Sequence, residues 1–192
     1  MNEARIVNQE FGDYAAIAQA FAADPANAQK VDVLAHECVA RLKRGGKILA
    51  VGNGGSCADA MHFCEELTGR YREDRPSIGA IACTDPGHIT CTGNDYGFDR
   101  VFSRWVEGVG RKDDVLVVLS TSGNSANIIH AIEAGKSIGM HTAGLLGKGG
   151  GKLAGMCDCE WIVPGETSDR IQELHMLILH ALVGAIERVL HG

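Results

Sequence analysis

The sequence predicts an α/β fold: a doubly wound, five-stranded parallel sheet flanked by helices. Three observations predict it. Short apolar runs recur along the chain and are hydrophobic at nearly every position, as strands covered on both faces must be. Each run is followed by a turn rich in glycine, serine or asparagine. Stretches with helical spacing separate the runs, and strands joined through such crossovers lie parallel.

The chain opens with two segments of helical spacing, about 5–23 and 27–44, parted by Asp24-Pro25 and closed by Gly45-Gly46. Five strands are expected next, at 47–51 (KILAV), 78–83 (IGAIAC), 115–119 (VLVVL), 142–146 (TAGLL) and 160–163 (EWIV). Helices are expected between them near 57–68, 99–109, 124–138 and 150–156. A long helix, 168–190, closes the chain with Thr167 or Ser168 as its N-cap. Ile171, Leu174, Met176 to Leu179, Leu182, Val183 and Ile186 leave that helix little polar surface. One sheet covers only one side of such a helix, so a second subunit is expected on the other.

With 192 residues the chain has the size of one domain, whose residues 1–45 form a helical N-terminal extension available for packing and oligomerisation. It is 45% hydrophobic and 22% charged with a formal net charge of −6, which disfavours nucleic acid or an anionic membrane as the main partner. The seven cysteines are odd in number and form no CxxC pair, so they read as reduced thiols in a reducing compartment. The first residues, MNEARIVNQEFGDYAA, lack the charged-then-apolar pattern of an export signal. The apolar stretch 171–190 is interrupted by Glu173, His175, His180, Glu187 and Arg188, which reads as a buried or interfacial helix, not a membrane span.

Three glycine loops invite motif names. GNGGSC at 52–57 has Cys57 where a dinucleotide fingerprint needs its third glycine, and no acidic residue follows at the required distance. GKGGGKL at 147–153 is too short for a P-loop and has no Ser or Thr after Lys152, so it reads as a flexible turn. The third loop, Ser120-Thr121-Ser122-Gly123-Asn124-Ser125, joins a strand to a helix start. Unpaired N–H groups and the helix dipole favour an anion there, and the crowded hydroxyls are donors that rotate to fit tetrahedral oxygens. Such a loop can also be a simple N-cap. The density of hydroxyls favours a phosphate monoester held without a cation. Asn53-Gly54-Gly55-Ser56 repeats the arrangement after the first strand. Both loops fall at the carboxyl edge of the sheet, where open α/β sheets bind ligands. A sugar phosphate fits such a pair.

These residues resemble a known family. LSTSGNSAN together with GNGGS looks like the sugar-isomerase (SIS) domain family. GNGGSCADAMHFCEELTGRYREDRP, GNDYGFDRVFSR and DRIQELHMLILH look like its phosphoheptose isomerases, across nearly the whole chain. The resemblance implies isomerisation of sedoheptulose 7-phosphate to D-glycero-D-manno-heptose 7-phosphate, an early step toward the ADP-heptose of lipopolysaccharide. It also implies a cytoplasmic homotetramer that binds zinc. Carried over by position, metal ligation falls on His62, Glu66, Gln172 and His180, and catalysis on Glu66 and His180. Substrate contacts fall on Asn53, Gly54, Gly55, Glu66, Asn94, Asp95, Ser120, Thr121, Ser122, Ser125 and Gln172.

The chemistry asks for these residue types. Moving a carbonyl between C2 and C1 needs a base for the carbon-bound proton and an acid for the oxygens. His62 and Glu66, at i and i+4, share one face of the helix that follows the first loop, with Glu65 turned to solvent. An isolated pair of this kind is usually an exposed helix contact, but beside a glycine loop it reads as a site. Gln172 and His180 lie two turns apart, ~12 Å along a helix axis. On spacing alone His175 rivals His180, which the resemblance selects. Asn94-Asp95 reads as a turn with Asp95 capping the next helix, and Arg70, Arg72 and Arg75 as a mostly solvated loop with one useful arginine, its charge attracting phosphate at long range. A non-catalytic sugar-phosphate-binding or replication-initiator-associating adaptor on the same fold is the alternative. It would need the phosphate loop but not the Glu66–His180 pair.

Overall fold

Strands β1 (Ile48–Gly52), β2 (Ala80–Ala82), β3 (Val115–Ser120), β4 (His141–Leu146) and β5 (Cys159–Ile162) form one parallel sheet in the order β2-β1-β3-β4-β5. The computed structural model describes residues 3–192; Met1 and Asn2 lie outside the described residues. Helices α1 (Glu3–Ala23), α2 (Pro25–Leu42), α3 (Gly55–Thr68), α4 (Pro86–Tyr96), α5 (Val101–Val109), α6 (Ala126–Ile138) and α7 (Ser168–His191) complete the chain. The expected doubly wound sheet is present, and each expected strand lies within one or two residues of its predicted bounds.

Strand side chains alternate between two cores, as the pleat requires. Ile48, Ala50, Val115 and Val117 join residues of α2, α3 and α7 on one face. Leu49, Val51, Leu116 and Val118 join residues of α5 and α6 on the other. Asp114, 1% exposed, fastens the starts of β1 and β3. Its carboxylate accepts from the backbone N–H of Lys47 (2.8 Å) and Arg111 (2.8 Å) and from Lys47 Nζ (2.6 Å).

Two helix starts follow one rule. Asp24 caps α2 by accepting from Ala26 N at 3.0 Å, with Pro25 in the first turn, so α2 begins ahead of the expected residue 27. Asp85 caps α4 in the same way, accepting from His88 N at 2.6 Å ahead of Pro86. Helix α4 was not expected. Asn94 and Asp95 are therefore not a turn: they lie in its last turn, and Asp95 caps no following helix. The expected helix at 150–156 is also absent. Its place is taken by 3₁₀ turns, Lys148–Leu153, that run through three glycines with positive φ.

Helix α7 corrects a further expectation. Ile171, Leu174, Ile178, Leu179, Leu182, Val183 and Ile186 are each at most 1% exposed, because α7 is packed among the sheet, α2 and α3. The chain itself covers most of what a second subunit was expected to cover. On α7 only Leu177 among the large apolar side chains is exposed, whereas α1 has no buried residue and exposes Ile6, Val7 and Phe11. Val33 of α2 is also uncovered, at 60% exposure. All seven cysteines are free; burial pushes the thiols of Cys38, Cys64 and Cys83 up to about 12, which leaves them unreactive.

Arg75 is a further departure from the expected solvated loop. Its side chain is 5% exposed and pairs through Nε with Glu187 of α7 at 2.9 Å. The same guanidinium donates to the carbonyls of Leu67 (2.6 Å) and Glu66 (2.6 Å), filling orphan acceptors at the end of α3. One cation thus ties α3 to α7. Replacing it with an uncharged side chain, Arg75→Met, leaves Glu187 unpaired and should cost about 3–5 kcal/mol. Urea unfolding measures this, and adding Glu187→Leu to Arg75→Met should restore part of the loss. An unchanged midpoint in the single variant would show that the pair holds nothing.

Candidate active site

The chain leaves β1 toward β2 on one side and returns to form β3 on the other, so the loops after β1 and β3 diverge from one crevice. Gly52 and Leu119 are register partners immediately before those loops. The side chains of Asn53 and Asn127 bridge the crevice with two reciprocal N–H···O bonds, each 2.9 Å. Asn127 did not stand out in the sequence, because an Asn inside a helix gives no pattern of its own.

The 120–125 loop has the arrangement expected of an anion cradle. Ser120 is 4% exposed, and its Oγ accepts from Gly123 N at 3.1 Å. Ser122 Oγ accepts from Asn124 N at 3.2 Å. Each acceptor is satisfied within the turn, which leaves each hydroxyl proton free to donate outward. Ser125 occupies the N-cap of α6, and its side chain makes no capping bond. Thr121 Oγ1 meets Ser168 Oγ at 3.2 Å, which joins the loop to the start of α7.

On the other loop, Gly55 opens α3, and a side chain there would collide with the amide of Gln172. Gln172 therefore packs on the first turn of α3. Two turns further along α7, His180 reaches the second half of α3. Glu66 Oε1 lies 3.4 Å from His62 Nε2 and 3.4 Å from His180 Nε2. The rings of His62 and His180 meet edge to face at 5.2 Å, and Tyr71 stacks on His180 with ring centres 5.8 Å apart. Glu66 is 8% exposed, whereas Glu65 is exposed. Glu66 Oε2 is buried and has no hydrogen-bond partner.

The spacing-based rivalry on α7 is resolved. His180 faces Glu66, whereas His175 is fully buried in the core. Burial pushes the His175 imidazole down to about 4, against a smaller opposing effect of the Leu146 backbone, so at neutral pH it is an uncharged core residue.

The trio fits a metal ion. One donor atom from each of His62, Glu66 and His180 lies within 4.8 Å of the others. Two imidazoles and a carboxylate suit zinc and similar borderline ions, and the unpartnered Glu66 oxygen is the acceptor that a cation would satisfy. Gln172 and His180 line one cleft of about 490 Å³ together with Tyr14, Asp59 and Asp169. Burial lifts the Asp59 carboxyl to about 6, against the pull of His62. A larger cavity, about 900 Å³, lies elsewhere, against α2, His141 at the start of β4 and Cys159 at the start of β5.

The structure thus brings together Asn53, Gly54 and Gly55 at one loop, Ser120 to Ser125 at the other, and His62, Glu66 and His180 between α3 and α7. Asn94 and Asp95 stand apart: both are exposed, and their side chains bond within α4, Asn94 Nδ2 to Asp95 Oδ1 at 2.7 Å.

Comparison with known proteins shows the family and the fold. The SIS domain model matches residues 12–147. The phosphoheptose isomerase of Vibrio cholerae is 51% identical over 184 residues, 95% of this chain and 96% of that protein. That of Fusobacterium nucleatum is 56% identical over 147 residues, 77% of this chain and 76% of that protein. Among solved structures, a phosphoheptose isomerase from Neisseria gonorrhoeae superposes with a TM-score of 0.89 at 41% identity, covering 97% of this chain and 100% of that one.

Proposed function

The chain belongs to the SIS-domain family and, within it, to the phosphoheptose isomerases; we propose the following account of how it works. It is an aldose–ketose isomerase that converts sedoheptulose 7-phosphate to D-glycero-D-manno-heptose 7-phosphate. The observation that carries the reading is the meeting of Glu66 with His180 on α3 and α7, the helices that begin at the loop after β1 and against the hydroxyl-lined loop after β3. A module that only bound sugar phosphate would need the loop and not the pair.

The phosphate rests on the 120–125 loop and the N-terminus of α6, with Ser120, Thr121, Ser122 and Ser125 as donors. Asn53, Gly54, Gly55 and Gln172 contact the sugar. Asn94 and Asp95 belong to the substrate contacts by family position. Glu66 takes the proton from C1 of the ketose, and the electron pair left behind forms the C1–C2 double bond of an enediol. His180 gives a proton to the oxygen on C2 and takes one from the oxygen on C1. Glu66 then returns its proton to C2, which leaves the aldehyde at C1. Oε1 of Glu66 is fixed between two imidazoles, so the carboxylate is aimed before substrate arrives. Zinc held by His62, Glu66 and His180 would polarise the sugar oxygens as a Lewis acid instead, whereas Gln172, the fourth ligand by family position, packs two turns away on the start of α3.

The whole chain, 1–192, is one SIS domain, and its first 45 residues serve assembly. A homotetramer is built through the apolar surface that α1 leaves exposed, since a patch of that kind on a lone chain marks an interface. The enzyme works in the cytoplasm, as its seven free thiols require a reducing compartment, and supplies the heptose precursor of lipopolysaccharide. Detection of the protein mainly in a membrane or exported fraction of cells would contradict that location.

Purified protein incubated with sedoheptulose 7-phosphate should accumulate the aldose phosphate; no aldose would refute the activity. The double variant Ser120→Ala/Ser122→Ala should raise KM far more than it lowers kcat, each lost bond to a charged group being worth about 1.5–3 kcal/mol. Unchanged KM would place the phosphate elsewhere.

Metal analysis after purification without chelator should find zinc, reduced in His62→Ala, and sedimentation of the same samples should show four-chain particles. Metal content indifferent to His62 would remove the assigned ligands. A fully active monomer would remove α1 as an assembly surface.

A further inference from the structure

The glycine turn 147–153 has no part in the account so far, yet it is interlocked with the phosphate loop. Three hydrogen bonds join them. Gly147 N donates to Ser120 O at 3.1 Å and Leu153 N donates to Gly123 O at 3.0 Å. Lys152 N donates to the side-chain Oδ1 of Asn124 at 3.2 Å. The first two run between backbones and involve no side chain. The third depends on Asn124 alone.

Asn124 also acts on its own loop. Its Nδ2 donates to Ser122 O at 2.8 Å, and its backbone N–H donates to Ser122 Oγ at 3.2 Å. The second bond occupies an acceptor site on the Ser122 hydroxyl and so directs its proton away from the turn. The amide is thus used at both ends: one end holds the neighbouring turn, the other holds Ser122.

The two turns touch without space to spare. A side chain on Gly123, at φ 64°, would collide with the Gly150 carbonyl. A Cβ on Gly151 would come within 2.7 Å of both the Oδ1 and Nδ2 of Asn124. Gly151 adopts φ 52° and ψ −137°, a conformation that only glycine takes without strain.

We propose that Asn124, backed by the glycine turn 147–153, is a positioning residue for the phosphate. It contacts no reacting atom; its side-chain amide holds the Ser122 carbonyl and the Lys152 N–H, and so fixes the turn that presents the Ser122 hydroxyl to the anion. Resting on the assignment of phosphate to the 120–125 loop, this explains why a chain of net charge −6 can hold an anion with neutral donors. Donors already fixed in place need no ordering when the ligand arrives. The sequence reading of 147–153 as a free flexible turn is replaced by that of a buttress.

Two variants test this from opposite sides of the contact. Asn124→Ala removes the amide, and Gly151→Ala pushes a methyl against it. Each should raise KM for the sugar phosphate about tenfold, with kcat changed less than about twofold. Each should weaken competitive inhibition by inorganic phosphate by the same factor. A merely structural role would lower kcat and KM performance together and leave no such split. If Ser120→Ala/Ser122→Ala weakens inorganic phosphate while Asn124→Ala and Gly151→Ala do not, the positioning role is wrong and the phosphate loop stands. If none of these variants changes inhibition by phosphate, the loop assignment is wrong and the positioning role falls with it.

Discussion

The site depends on one contact: α3 lying against α7 closely enough for Glu66 to sit between His62 and His180. One oxygen of a nearly buried carboxylate is 3.4 Å from two imidazole nitrogens on two helices far apart in sequence. Its other oxygen has no partner. Burying an unsatisfied acceptor costs about 1–3 kcal/mol, so the packing around it must hold the arrangement together. Gly55 lets Gln172 settle on the first turn of α3, and Arg75 bridges the far end of α3 to Glu187. The helices are thus tied at both ends of the segment that carries His62 and Glu66.

The sheet provides the second half of the site by topology. Because β1 and β3 are neighbours whose connections run in opposite directions, their loops face one crevice, and the Asn53–Asn127 pair keeps them in register. Phosphate at a helix N-terminus needs no lysine, since the dipole and rotatable hydroxyls satisfy it. Neutral recognition also suits turnover, because an anion gripped by several cations would be slow to leave.

Much of this was legible in the sequence, for identifiable reasons. Runs such as VLVVL, short, rich in β-branched residues and apolar at every position, read as doubly covered strands, and the crowded hydroxyls of STSGNS after one of them mark a candidate ligand loop. The HxxxE pair shows itself by helical periodicity. What was not legible depended on contacts distant in sequence. The burial of α7 could not be read from its composition, because the same apolar helix fits a subunit interface or an internal layer. His175 and His180 are alike on spacing, and only packing sends one into the core and the other to Glu66. Arg75 looked solvated because its partner is 112 residues away. Tyr71, which stacks on His180, sits in an irregular segment with no pattern. Helix α4 is a different case: Asp85-Pro86 is the same start signal as Asp24-Pro25, and it was there to be read.

The proposed isomerisation depends on Glu66 as the group that moves the carbon-bound proton. The most direct measurement is Glu66→Gln, assayed both for isomerisation and for exchange of the C1 and C2 protons of the sugar with deuterated solvent. The amide keeps the shape of the side chain and removes its basicity. Isomerisation and exchange should both disappear while inorganic phosphate still binds. Proton exchange at the wild-type rate in this variant would contradict the assignment and move the base elsewhere in the cleft.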